Sequence, residues 1–421
     1  MSQLPIDPHA DSNKRAWLPC PKCNHDCPLC QGEKACEAHW QYRLKHDRNR
    51  VWLQCPRCAL TWTVNAAADE GRHSDPPQQN ATIPLGGRPD RLVTGPSGQV
   101  YVMVDDSVKV INRLHHIVAT YATGPHPKNM ILSADETRVY VAGFDGSTSV
   151  INLVKNSVKT FALLRSKAEV ISPDGMRLYL VHNGVAADPK GSWISIIGAN
   201  GSTVAVVPLD RHANGIDVNP AGTKLYVSSR SSSSQLDWRG SISVIDTRSC
   251  RVVDKIAMEL APDTISVSRD GTRLYGTHYQ KNSVLIIDLR TRGVTRWQFG
   301  DAPIDIAVSP DDDFAYVTNL QSLTMLNTTT NRLKTCLEGR MPRAVQLTAD
   351  GKRAYAIDVS RRIIHALDTA DNSILGSLEF DGHPDGMTLG GDGEFLYVTD
   401  YLDHTVKVIA TASLNRRVED R

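Results

Sequence analysis

The sequence predicts an all-β chain whose bulk is an eight-bladed β-propeller, closed by a strand from its own amino-terminal side and preceded by a small cysteine-rich head. Three observations carry that expectation. The chain repeats itself eight times, each repeat places a tyrosine just after a tight turn, and seven of the nine cysteines lie between Cys20 and Cys58.

The repeats are GPSGQVYV, SADETRVYV, SPDGMRLYL, NPAGTKLYV, SRDGTRLYG, SPDDDFAYV, TADGKRAYA and GGDGEFLYV. Their tyrosines are Tyr101, Tyr140, Tyr179, Tyr226, Tyr275, Tyr316, Tyr355 and Tyr397, spaced by 39, 39, 47, 49, 41, 39 and 42 residues. Each turn follows a short strand and leads into the Tyr strand, then into a run such as SISVID or SVLIID, and then into a fourth strand such as VVDKIAM. Asp and Gly suit those turns because they tolerate positive φ. Four short strands every 40 residues or so is the sequence form of a propeller blade. The eighth repeat stops after TVKVIAT without its fourth strand, and NATIPLGG supplies a candidate; residues 80–85 are therefore expected to close the last blade and remove open sheet edges. A seven-bladed ring is the alternative, should a degenerate unit such as residues 165–210 be distorted.

The stretch AYVTNL at Ala315 to Leu320, echoed by LYVTDY and joined by SPDG and VID, resembles the YVTN or YncE-like β-propeller repeat family over residues 80–411. The resemblance implies the fold. For function it implies a range, from binding platforms to quinoprotein-like and lactonase-like enzymes.

The head contains three CPxC knuckles. A Cys-x-x-Cys turn offers two thiolates to one ion, and zinc takes four such ligands. Cys20, Cys23, Cys55 and Cys58 are assigned to a first zinc site resembling a zinc ribbon, its second knuckle carried on the hairpin VWLQCPRCALTWTV. Cys27, Cys30, Cys36 and His39 form a Cys3His set for a second, with His25 and His46 as rival nitrogen ligands. Both ions are expected to be structural. So short a segment buries too little apolar surface to fold alone, and a structural zinc contributes on the order of 10 kcal/mol. Residues 1–16 read as a disordered tail, 17–64 as the head, 65–79 as a linker, 80–412 as the propeller and 413–421 as a tail.

With 47 Lys and Arg against 46 Asp and Glu, no global charge draws the chain to nucleic acid or to an anionic membrane. No secretory signal or membrane span is visible, so the expected compartment is the cytoplasm. Loops leading into each inner strand and out of each Tyr strand should gather at one mouth of the ring. Asp90, Lys128, Lys167, Asn214, Asp263, Asp305, Arg343 and Asp385 stand on the incoming side, near His126, His212 and His383. His182, His278, Asn319, Asp358, Asp400 and Tyr401 stand on the outgoing side. Such a mouth is polar in any propeller, and a sharper reading seats a metal or cofactor on His182, His212, His278 and His383. SSRSSSSQ, from Ser228 to Gln235, reads as a polar loop, and Cys250 and Cys336 as structural or incidental.

The function expected is that of a non-enzymatic, monomeric binding protein using a propeller face and a zinc-bearing head. A protein is the favoured partner and nucleic acid the second choice, through Arg43, Lys45, Arg48 and Arg50 of the head. The alternative is a quinoprotein-like or lactonase-like enzyme with its site at the channel mouth.

Overall fold

A computed structural model describes residues 11–16, 41–46, 50–54, 61–65, 81–184, 191–209, 212–230, 239–299, 301–330, 332–338 and 341–415. The chain divides into two units, residues 1–78 and 79–421.

In the first unit, strands Asp11–Ala16, Gln41–His46, Arg50–Gln54 and Thr61–Asn65 form one antiparallel sheet in that order. The hairpin expected around CPRC is present, paired from Gln54 opposite Thr61 out to Arg50 opposite Asn65. Asp11–Ala16 is the edge strand of this sheet and pairs with Gln41–His46. The eight proposed zinc ligands, Cys20, Cys23, Cys27, Cys30, Cys36, His39, Cys55 and Cys58, lie outside the described residues.

In the second unit, eight four-stranded antiparallel sheets form the blades, each a meander except the last. Blade 1 is typical, with strands Pro89–Thr94, Val100–Val104, Ser107–Ile111 and Ile117–Ala122. At six junctions the first strands of neighbouring blades touch one another, including Pro384–Leu389 of blade 8 against Pro89–Thr94 of blade 1. In blade 8 the outermost strand is Ala81–Pro84, antiparallel to Thr405–Ala410, with Ile83 opposite Val406. The two ends of the repeat array thus share one sheet, as the sequence predicts. No helix among the described residues is long and apolar enough to cross a membrane.

The recurrence of tyrosine has a structural cause. Each Tyr is buried on a second strand and faces the following blade. The Tyr101 hydroxyl donates to Glu136 of blade 2 at 2.8 Å, Tyr140 to the Gly175 carbonyl of blade 3 at 2.8 Å, and Tyr316 to the Asn372 side chain of blade 7 at 2.6 Å. Tyr397 meets His115 Nδ1 of blade 1 at 3.2 Å, sealing the junction between last and first blades. Burial pushes the Tyr140 and Tyr397 hydroxyls up to about 12, so they remain neutral donors. Tyr316→Phe should cost about 1–2 kcal/mol, because the Asn372 oxygen then keeps no hydroxyl donor in a buried seam; urea unfolding checks this.

The Ser-x-Asp-Gly turns are latches at the lower end of the ring. Ser172 and Ser268 donate to Asp174 and Asp270, two residues on, at 2.5 and 2.6 Å. They also accept the backbone N–H groups of Arg177 and Arg273. Those hydroxyls are the chief reason why the Asp174 and Asp270 carboxyls sit below their ordinary range. The SPDG motif is therefore spent on fold.

Candidate functional site

At the upper end, turns between second and third strands meet the loops that lead into first strands. The same backbone bond ties them in six blades: Asp105 N–H to Arg88 O, Phe144 to His126, Arg230 to His212, Leu320 to Ala302, Val359 to Met341 and Tyr401 to His383, at 2.9–3.2 Å. This rigid rim is where the sequence places the mouth.

The position three residues after each Tyr ends or nearly ends the second strand. Around the ring it is Val104, Gly143, His182, Ser229, His278, Asn319, Asp358 and Asp400. From blade 3 to blade 8 it is polar and buried, with at most 2% of the residue exposed. Five of these six side chains hold loops or neighbouring strands, and the Ser229 hydroxyl has no hydrogen-bond partner. Asp400 Oδ1 accepts the N–H groups of His383 and Asp403, both at 3.2 Å, while Oδ2 faces Lys407 at 3.1 Å. Burial works against the Asp400 charge, but those donors win and hold the carboxyl below its ordinary value. Asp358 accepts the Ser360 hydroxyl at 2.7 Å and the Arg361 N–H at 3.0 Å. Asn319 donates to Ser322 and Thr324. His182 stacks on Trp193, with centroids 5.2 Å apart, and its Nδ1 lies 3.1 Å from the Arg165 carbonyl. His278 Nδ1 accepts the Lys281 N–H at 3.3 Å and lies 3.8 Å from Asp263. Burial pulls both histidines below their ordinary pKa.

The four-histidine seat does not assemble. Among the described residues no three His, Cys, Asp or Glu side chains gather as a metal-holding group. His182 and His278 are committed within their own blades, His383 Nε2 lies 2.8 Å from the Arg362 guanidinium, and His212 is half-buried at a turn with φ 57°. The residue three after a Tyr points away from the face that Tyr presents, and its polar partners lie in its own blade or the loop leading into it. Of the incoming residues, Arg343 pairs with Asp385 at 2.8 Å, and Lys128 with Glu169 at 2.9 Å. Asp305 is exposed and Asn214 buried. Sequence reading missed Glu169, which accepts from Lys128, Ser166 and Asn129 across the junction of blades 2 and 3. Burial opposes its ionisation, and the three hydrogen bonds outweigh it. Its signal was a lone acid inside a short apolar strand, Ala168–Ile171. Ser228 and Ser229, expected in a loop, end the strand Lys224–Arg230 and are buried; residues 231–238 lie outside the described residues. Cys250 takes a turn at φ 54°, and Cys336 lies in the outer strand Arg332–Glu338, where burial raises its thiol to about 11.

Over blades 1 and 2 the mouth holds a cavity of about 370 Å³. It is lined by Arg88, Asp90, Met103, Asp105, Asp106, His126, Pro127 and Phe144. The upper loops also expose large apolar side chains: Phe144, Leu164, Tyr279, Leu320, Met341 and Leu402 are each 39–66% exposed.

No family model matches the chain, and no curated protein matches it. Solved structures do. Over 80% of this chain and 77% of the other, it is similar to the dihydro-heme d1 dehydrogenase NirN in complex with DHE, with a TM-score of 0.64 and 15% identity. Over 82% of this chain and 99% of the other, it is similar to Kuenenia stuttgartiensis hydrazine synthase, with a TM-score of 0.50 and 17% identity. At these identities the likeness is one of fold.

Proposed function

We propose that the chain is a non-enzymatic binding platform that engages a protein through the upper face of its propeller, with the head, carrying two structural zinc ions, as a second binding element. The observation that carries this reading is the apolar set on the upper loops, set among charged groups on a rim stiffened by backbone bonds. Exposed apolar side chains ringed by polar groups are what protein interfaces use. The buried titratable groups of the mouth, by contrast, are spent on holding loops. We further read the ring as a YVTN/YncE-like propeller and assign its work to the cytoplasm, where closely spaced thiols stay available to zinc.

The test compares partner capture by the full-length chain with capture by the triple variant Leu320→Asp, Met341→Asp and Leu402→Asp. Loss of the captured protein is expected, whereas Leu333→Asp, an exposed change on an outer strand, should leave it intact; equal capture by all three chains would sink the reading. A second reading, an enzyme acting at the mouth, draws on the names of the structural neighbours, a dehydrogenase and a synthase. A coloured or metal-loaded propeller after replacement of Cys20, Cys23, Cys55 and Cys58 by Ser would favour it.

A further inference from the structure

The sheet of the head sorts its residues onto two unlike faces. Residues directly opposite across an antiparallel pair share a face, and successive residues of a strand alternate between faces. On one face the register sets Arg43 opposite Leu53 and Leu53 opposite Trp62, with Val51 opposite Val64 in the next row. The hairpin's part of that face is wholly apolar, the composition of the core side of an antiparallel sheet. On the other face Arg15 stands opposite Tyr42 and Lys45 opposite Trp52, and Arg50 stands two residues before Trp52 in the same strand. The remaining paired positions of this second face are Gln54, Thr61, Thr63 and Asn65.

Two observations about the second face are independent of each other. Its charge has one sign: the paired positions carry three cations and no acid, in a chain that balances 47 Lys and Arg against 46 Asp and Glu. It also carries two aromatic residues on the polar side of the sheet, each directly opposite a cation. A bulge makes that arrangement. The register shifts between Arg43 and Lys45, so one extra residue returns Lys45 to the face of Tyr42, where strict alternation would separate them. Tyr42 pairs with Gln54, two residues from Trp52, which makes the two aromatics diagonal neighbours about 7–8 Å apart.

We propose that this face binds single-stranded nucleic acid, an inference that rests on the reading of the head as a second binding element and names what that element takes. Aromatic rings accept unstacked bases, and cations set beside them accept the phosphates that join those bases. Every base has a flat face, so the site is tolerant of sequence. A duplex offers phosphates but keeps its bases stacked on one another, and it leaves Tyr42 and Trp52 without a use. An acidic peptide meets the cations alone. The register also sorts the basic residues that adjoin aromatics in the sequence: Lys45 and Arg50 share the aromatic face, whereas Arg43 falls on the apolar one.

The probes are dye-labelled RNA and DNA single strands of about 12 nucleotides and mixed sequence, each titrated into the full-length protein. At least one strand should bind about tenfold more tightly than the duplex of its sequence. Lys45→Gln with Arg50→Gln should weaken that binding about tenfold and lower the salt slope by about 1.4, two phosphate contacts at about 0.7 each. Trp52→Leu should weaken it about fivefold or more without changing the slope, and Arg43→Gln should leave it within about twofold. Unaltered amide hydrogen exchange across Arg50–Gln54 and Thr61–Asn65 shows that the sheet persists in each variant. The proposal is overturned by no binding of either strand, by equal binding of the duplex, by an unaltered double variant, or by Arg43→Gln costing as much as the double variant. Competition by polyglutamate as effective as the unlabelled strand overturns it in favour of an acidic protein. If neither strand binds but the apolar triple variant of the ring still loses its partner, the platform stands and only the nucleic-acid site falls.

Discussion

Ile83→Asp in the full-length chain is expected to cost about 4 kcal/mol, a large fraction of what holds a domain folded. Ile83 is 5% exposed and packs with Val406, Val408 and Phe395 in the cluster joining blades 8 and 1. Removing the buried side chain loses about 1.5–3 kcal/mol, and a carboxylate placed there adds the penalty of an unpaired buried charge. The consequence exceeds one site. Ala81–Pro84 is what covers Thr405–Ala410, so its release exposes a sheet edge able to recruit other chains. The variant should therefore both melt earlier and form oligomers on gel filtration. Thr82→Asp provides the control, because Thr82 is exposed in the same strand and the change there should stay within about 0.5 kcal/mol. Equal losses at the two positions would show that the strand does not close the ring as described.

That closure is legible in the amino-acid sequence alone, and the reason is physical. A blade lacking one strand leaves unpaired backbone groups, so the eighth repeat's missing strand has to come from elsewhere in the chain, and NATIPLGG is the segment free to supply it. The tyrosine register is legible for the same kind of reason, since a large side chain repeated at one position must meet a repeated environment. Direction around the ring is not. His182, His212, His278 and His383 all fall at or beside one end of a strand, yet sequence position does not say that the rings of His182 and His278 turn to partners in their own blades. Glu169 is hidden because its partners, Lys128 and Asn129, are 41 and 40 residues away in sequence and adjacent only once blades 2 and 3 stack. The cavity is hidden for the same reason, because its lining comes from two stretches, Arg88 to Asp106 and His126 to Phe144, that meet only once blades 1 and 2 stack.

Two of the buried side chains at the mouth make the propeller acid-sensitive well above the range in which carboxylates titrate. His182 and His278 are 2% and 0% exposed, and burial lowers the pKa of each in the folded state. In the unfolded chain they titrate near about 6.5. Between the two values the unfolded chain binds the extra proton, so stability rises with pH across that window and falls as the medium is acidified. Above about pH 6.5 the contribution is complete. Below it, each histidine can add a slope of up to about 1.4 kcal/mol per pH unit until its folded pKa is reached. Asp263 beside His278, and the Arg165 carbonyl and Glu169 beside His182, favour the charged forms and partly offset burial. Glu169 and Asp400 act in a separate window. Their folded pKa values are depressed, so their contribution is present above about pH 4.5 and is lost only as the pH falls through the folded values. Urea unfolding at about pH 7.5, 6.5 and 5.5 should thus show falling stability before Glu169 and Asp400 are protonated. His182→Phe keeps a ring against Trp193 but cannot titrate, so whatever its stability at about pH 7.5, its loss between about pH 6.5 and 5.5 should be smaller than that of the unaltered chain. An identical slope in the two proteins would mean that His182 takes up its proton without disturbing the blade, and that the stacking and the Arg165 contact tolerate a buried imidazolium.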